Sequence, residues 1–245
     1  MSGPFQVDLG FGVAFTYVSS EYDAIGRRLF FGGLDAWEGP DVRLFANLAR
    51  KSRAVVDVGA HTGVYALAAC AANPEARVIA VEPLEAPRRQ LRSALLYNEW
   101  ETRCEVRIEA ASARAEETRL YVPDHPFPSE ASLLGEGARF ESVETLRLDS
   151  LDCADVDLVK IDVERGEHLV LEGMTAWFDK DPPALLLEVL EDGPLEQVAS
   201  LLKPYGYAYY RVTARGPEAL ERLVADPAGV ARNVLALPPQ KSDWI

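Results

Sequence analysis

Val55-Val56-Asp57-Val58-Gly59-Ala60-His61-Thr62-Gly63 is the stretch that decides the fold class. An apolar run ends in a turn with two glycines and opens on Val64–Ala72, which is rich in alanine and leucine and reads as a helix. Glycine lets the backbone approach a ligand closely, and the start of a helix aims its free N–H groups at it. A strand, a glycine turn and a helix in that order form the opening unit of a doubly wound α/β sheet.

The same alternation continues outward from this stretch. Arg77–Val81 is a second short β-branched run. Glu85–Tyr97 is helical, with Leu91, Ala94 and Leu95 on one face and Arg89, Arg92 and Ser93 on another. Cys104–Ala110, Leu158–Asp162 and Ala184–Val189 read as further strands, and a helix starts at Glu167. Tyr205–Thr213 and Asn233–Pro239 supply two more strands, with Pro217–Ala225 between them read as a helix. Short buried strands separated by helices predict a Rossmann-like, mostly parallel seven-stranded sheet, closed by an antiparallel C-terminal strand and covered by helices on both faces. Thr118–Leu151 breaks the pattern. It holds strand-like pieces around a loop rich in Pro, Ser and Gly, and reads as an inserted hairpin. Residues 1–50 are less regular: Tyr17–Phe31 fits two short strands or a helix. They are expected to cap the domain formed by residues 51–245.

Composition sets limits on function. The 245 residues suit one α/β domain, and such a chain buries enough apolar surface to need no disulfide or metal staple. Cys70, Cys104 and Cys153 are widely spaced, with no C-x-x-C pair, and are expected to be reduced thiols in a cytoplasmic protein. The start of the chain has no basic segment followed by an apolar one, and no apolar run reaches the roughly 20 residues of a membrane span. A net charge of -14 repels phosphate backbones and anionic lipid, so neither nucleic acid nor membrane is the expected partner.

Candidate site residues gather where strands end. A dinucleotide would put its diphosphate at the Gly59 turn, where Asp57 would repel it, and the third glycine of G-x-G-x-x-G is missing. S-adenosylmethionine carries an ammonium and a sulfonium, so it suits an acid there. Glu82, in Val81-Glu82-Pro83, stands about 20 residues past the turn, where a carboxylate grips a ribose diol. Asp162 and Glu164, in Lys160-Ile161-Asp162-Val163-Glu164-Arg165-Gly166-Glu167, follow a buried strand and should face the crevice at the sheet's carboxyl edge. Glu167 instead suits the dipole of the helix it begins. Glu188 ends the fifth apolar run. Asp162, Glu164 and Glu188 would together suit a hard cation such as Mg²⁺, but no metal is assigned from the spacing. Proton acceptors would be Asp162 or Glu164, then His61 or His125. His168 is expected at the surface.

These motifs together resemble the FkbM family of methyltransferases. The likeness runs through DVGAHTG, VEP, Ala131-Ser132-Leu133, Leu146–Leu151 and KIDVERGEHLVLEG, with Trp37-Glu38 standing at the family's acidic position before the first strand. Arg165 stands where the family usually has glycine, and His61 where it often has asparagine. The resemblance implies an S-adenosylmethionine-dependent O-methyltransferase acting on a small-molecule hydroxyl, such as a secondary metabolite or sugar. It implies a cofactor site of Glu38, Asp57, Gly59, Ala60, His61, Thr62, Gly63, Glu82, Pro83, Ala110, Ala111 and Asp162, with Asp162, Glu164 and His61 as catalytic candidates. The rival readings are a nicotinamide-dependent oxidoreductase and a cofactor-binding protein without catalysis. The latter would follow if Arg165 filled the acceptor pocket.

Overall fold

In a computed structural model, residues 2–125, 127–128, 131–135, 139–153 and 155–245 are described. The chain begins with a hairpin, β1 (Gly3–Gly10) and β2 (Val13–Ser19), followed by helices α1 (Ala24–Gly32) and α2 (Gly39–Ala49). The alternating part runs β3 (Ala54–Val58), α3 (Val64–Ala72), β4 (Arg77–Val81), α4 (Glu85–Tyr97) and β5 (Cys104–Arg107). Three strands then leave the main sheet: β6 (Ala110–Ala111), β7 (Glu117–Tyr121) and β8 (Phe140–Leu146). The chain returns through β9 (Val156–Ile161), α5 (Glu167–Glu172), α6 (Thr175–Lys180), β10 (Ala184–Glu188) and α7 (Leu195–Leu202). It finishes with β11 (Ala208–Thr213), β12 (Gly216–Leu220) and β13 (Asn233–Leu237).

The main sheet has the order β12-β11-β13-β10-β9-β3-β4-β5. The run from β5 to β10 is parallel, and β13 lies antiparallel between β10 and β11. All seven expected strands are present, including the antiparallel closing strand. An eighth, β12, stands where a helix was expected at Pro217–Ala225. Gly216, at φ 113°, turns the chain back so that Pro217 and Leu220 pair with β11. Pairing to the open edge of β11 overrides the helical pattern of Glu218-Ala219-Leu220. The strand expected over Cys104–Ala110 stops at Arg107, because Ala110 pairs with Thr145 of β8 instead. The expected hairpin is formed by β7 and β8, antiparallel from Glu117↔Glu144 to Tyr121↔Phe140. Pro126, Ser129, Glu130 and residues 136–138 of its connecting loop lie outside the described residues.

Alternation along the strands divides two cores. Val55, Leu158 and Leu186 face α2, α3, α4 and the hairpin, whereas Val56, Val159 and Leu187 face α5, α6 and α7. Polar residues break into the first face at its carboxyl end. Asp57 is in register with Lys160, and Glu188 with Asn233. Four polar side chains thus lie side by side under the N-terminal segment. The strand order reverses beside β3, with β4 on one side and β9 on the other, so this is also where an open α/β sheet leaves its crevice. Among the described residues, no helix is long and apolar enough to cross a membrane.

Residues 1–50 resolve into a hairpin and two helices. Phe15, Tyr17, Phe45 and Val42 share the core of α3 and α4. A buried network fixes them to the turn after β3. The Tyr17 hydroxyl lies 2.9 Å from Asp23 Oδ2 and 2.7 Å from Thr62 Oγ1, and Gln90 Nε2 donates to Asp23 Oδ2 at 2.6 Å.

Candidate functional site

The carboxyl ends of β3, β4, β9 and β10 open on a cavity of about 310 Å³, a size that suits a small organic ligand. One wall is the turn Gly59–Thr62. Gly59 takes φ 75°, and a Cβ there would lie 1.7 Å from the Asp162 carbonyl oxygen, so only glycine lets β3 leave the sheet this close to β9. His61 also has positive φ, at 49°, a conformation that asparagine tolerates better than most residues.

Glu82 stands at the tip of β4, facing the turn. Its Oε2 accepts from the His61 backbone N–H at 2.8 Å and its Oε1 from that of Leu84 at 2.7 Å. The residue is 4% exposed, and burial pushes its pKa up to about 7 against these two donors. Pro83, Ala110 and Ala111 form the adjoining wall, next to Leu120 of the inserted hairpin.

Asp162 and Glu164 line the opposite end with Glu188. Behind them lies Lys160, 1% exposed, whose ammonium meets Asp162 Oδ2 at 3.1 Å and lies 5.2 Å from the Tyr65 ring centroid. Burial opposes its charge, but Asp162, Glu38 and Glu188 together raise its pKa, so it stays an ammonium. Glu38, at the start of α2, accepts from the Tyr65 hydroxyl at 2.5 Å and lines the cavity beside Trp37. Burial is the main reason that Asp41 and Asp57 are raised to about 7 and Glu188 to about 9.

The matching family model is the methyltransferase FkbM domain, over residues 57–209. The chain belongs to the FkbM methyltransferase family. A solved FkbM methyltransferase from Methylobacillus flagellatus KT is 17% identical, with 76% of this chain and 43% of that one aligned and a TM-score of 0.52. The chain therefore spans less than half the length of that protein, and the likeness is one of fold. TYW2 of P. horikoshii in complex with MeSAdo is 18% identical over 97% of this chain and 72% of that one, at TM-score 0.49. A tRNA methyltransferase of B. subtilis is 12% identical over 80% and 64%, at TM-score 0.45. No curated protein sequence matches the chain.

Placed in this family frame, most of the expected cofactor residues meet at one cavity. Gly59, Ala60, His61, Thr62, Glu82, Pro83, Ala110, Ala111, Glu38 and Asp162 all contribute to its wall. Asp57 and Gly63 do not. Asp57 is 1% exposed and turns under α3, where its Oδ2 accepts from the Ala66 N–H at 2.9 Å. Gly63, with φ 84°, packs against Leu91. The two residues shape the turn from beneath.

The catalytic candidates separate. Asp162, Glu164 and His61 reach the cavity, whereas His125 is exposed and bonded within its own loop to Phe127. The His61 ring Nε2 lies 3.2 Å from the Pro128 carbonyl, which can only accept. That places the ring proton on Nε2 and leaves Nδ1, buried and without a partner among the described residues, as the basic nitrogen. Arg165 does not fill the pocket: its guanidinium reaches Asp192 at 2.5 Å. Its φ of 73° lies in the left-handed region that glycine adopts without strain. Glu167 is 3% exposed and accepts from the Arg165 N–H at 3.2 Å, so it braces this loop as well as beginning α5. His168 is only half-buried, and its ring Nδ1 is enclosed.

Lys160 was not singled out from the sequence. Its signal was a lone charge inside Leu158-Val159-Lys160-Ile161, a strand buried on both faces.

The raised carboxyls make ligand-free stability depend on pH. Between the usual carboxylate pKa of about 4 and the raised values, the folded chain holds protons that the unfolded chain has released, so stability falls as pH rises. Asp41, Asp57 and Glu82 act up to about 7 and Glu188 up to about 9. His61, lowered by burial, opposes them as a single group, and the lowered Asp157 and Glu109 titrate below this window. Scanning calorimetry should find the Tm about 5–10 °C higher at pH 5.5 than at pH 8.5. A Tm that climbs across that interval contradicts this account.

Proposed function

We propose that the chain transfers the methyl group of S-adenosylmethionine to the oxygen of a small-molecule hydroxyl acceptor. The observation that carries this reading is the set of Glu82 contacts. Two backbone N–H groups hold the carboxylate at the tip of β4, with lone pairs left to accept from both hydroxyls of a ribose. Ala110, Ala111 and Leu120 offer an apolar wall for the purine, and Glu38 and Asp162 bring negative charge to the ammonium end. Asp57 under the turn disfavours a diphosphate, which counts against a nicotinamide dinucleotide. Residues 1–50 serve as a cap on the same site, through Ala24, Ile25, Trp37 and Glu38.

The reaction is an in-line displacement. The acceptor oxygen bonds to the methyl carbon as the carbon–sulfur bond breaks, and the electron pair returns to sulfur. A carboxylate, Asp162 or Glu164, takes the hydroxyl proton. The rest of the site contributes alignment and exclusion of water. A net charge of -14 and the acids around the cavity mouth support a neutral or cationic small acceptor over a nucleic acid.

S-adenosylhomocysteine is expected to bind with a Kd of about 1–100 μM, and NAD not measurably. Glu82→Ala should weaken S-adenosylhomocysteine by about 1.5–3 kcal/mol, since it deletes a charge-assisted acceptor of two hydroxyls. The fold should survive, as the side chain faces a cavity. Calorimetric titration of both proteins checks this. Equal affinity for the two would refute the ribose assignment, and a flat titration of wild type would refute the cofactor.

A further inference from the structure

A cavity walled by acids suits the two cationic groups of S-adenosylmethionine, but the cofactor's methionine tail also ends in a carboxylate. Beside Glu38 and Asp162 that carboxylate is repelled unless a cation stands next to it. Among the described residues that line the cavity, the guanidiniums are those of Arg28 and Arg232. Arg232 is drawn to Glu188, with Nη1 3.9 Å from Oε1. Arg28 meets no carboxylate among the described residues, although the chain carries a net charge of -14.

The way α1 is seated aims Arg28 at the cavity. Ala24, Ile25 and Arg28 share the helix face that lines it, while Gly26 and Leu29 are buried. The first turn of α1 is tied to the turn after β3. Asp23 caps it, with Oδ1 accepting from the Gly26 N–H at 2.8 Å. Gln90 Nε2 donates to Asp23 Oδ2 at 2.6 Å and to the Tyr17 oxygen at 3.0 Å. The phenol proton then goes to Asp23, and the Thr62 hydroxyl gives its own to the Tyr17 oxygen. Each of these buried protons has an acceptor, so α1 keeps a fixed place over the turn.

We infer that Arg28 pairs with the carboxylate of the cofactor's methionine tail, making α1 the element that recognises that end of the ligand. This rests on the methyltransferase reading. A guanidinium meets a carboxylate with two parallel N–H donors, a geometry that lysine cannot reproduce. The family model's match begins at residue 57, so the contact comes from a segment outside it.

The test compares S-adenosylhomocysteine with its decarboxylated analogue, which keeps the nucleoside and the ammonium, by calorimetric titration of the full chain. Wild type should bind the analogue at least about tenfold more weakly. Arg28→Met should weaken S-adenosylhomocysteine by the same factor and leave the analogue within about twofold, so that the preference disappears. Arg28→Lys should keep part of it. The Arg28 side chain is exposed, so both variants should fold, and their melting curves confirm it. A preference retained in Arg28→Met would assign the carboxylate to the N–H groups at the start of α3 and overturn the proposal. So would equal affinity of wild type for the two ligands, or an equal loss of both in Arg28→Met. Failure of wild type to bind either ligand sinks the cofactor reading itself, whereas binding with an unaltered preference in the variant sinks the Arg28 contact alone.

Discussion

Asp162→Asn and Glu164→Gln are each expected to lower kcat by about 10²- to 10⁴-fold. A hydroxyl is a poor nucleophile at neutral pH, and both carboxylates line the cavity end where the acceptor would sit. On the proposed reading one of them takes the hydroxyl proton, and the amide cannot. Affinity for S-adenosylhomocysteine should change by less than about tenfold, since an amide preserves shape and hydrogen bonding. Steady-state kinetics on any accepted hydroxyl compound, with a parallel cofactor titration, separates the two effects. If both variants keep full activity, the carboxylates are not the base, and His61 Nδ1, buried and unpartnered, becomes the remaining proton acceptor.

Lys160→Met should cost about 3–5 kcal/mol of stability at pH 7.5, or roughly 10 °C in Tm. The ammonium is 1% exposed and stands among Asp162, Glu38, Glu188 and Asp57. Removing it leaves Asp57 and Glu188 buried without this ammonium beside them. The loss should shrink near pH 5.5, where the raised Asp57 and Glu188 carboxyls are protonated, and that recovery separates lost charge from lost packing. A deficit of the same size at both pH values would show that the methylene stem, and not the charge, is what matters.

Most of the sheet's parallel core was readable because β3, β4, β9 and β10 are short, largely apolar runs, each ended by an acid or a glycine. Both faces are covered, so the runs lack the alternation that would blur them. The helices α3 and α4 fall at Val64–Ala72 and Glu85–Tyr97, as their patterns indicate. The N-terminal hairpin was less legible. Its inward positions, Val7, Leu9, Phe15 and Tyr17, alternate properly, but glycines and polar residues dilute the signal. β12 was missed for another reason: Pro217-Glu218-Ala219-Leu220 suits the first turn of a helix, and only the free edge of β11 tells otherwise.

The site was legible where one residue type has one plausible use at one place, as with Glu82 and the Gly59 turn. It was not legible where the use depends on neighbours distant in sequence. Asp57 was expected among the residues of the cavity wall, and its carboxylate lies beneath the turn, tied to α3 through Ala66. Lys160 gains its meaning from Glu38 and Glu188, which lie on other elements. Arg165 left two outcomes open from sequence, and its contact with Asp192 decides against the one that blocks the pocket.

The bond between Tyr17 and Thr62 bears on how far the family's boundaries describe a transplantable unit. The family model's match begins at residue 57, yet the Thr62 hydroxyl is met by a tyrosine from the hairpin, and Glu38 of the cavity wall also precedes that boundary. A chimera joined at residue 57 would inherit the turn but lose the group that orients it. The interchangeable piece is therefore larger than the recognisable one, and exchanges of specificity between relatives must carry the hairpin and its two helices along.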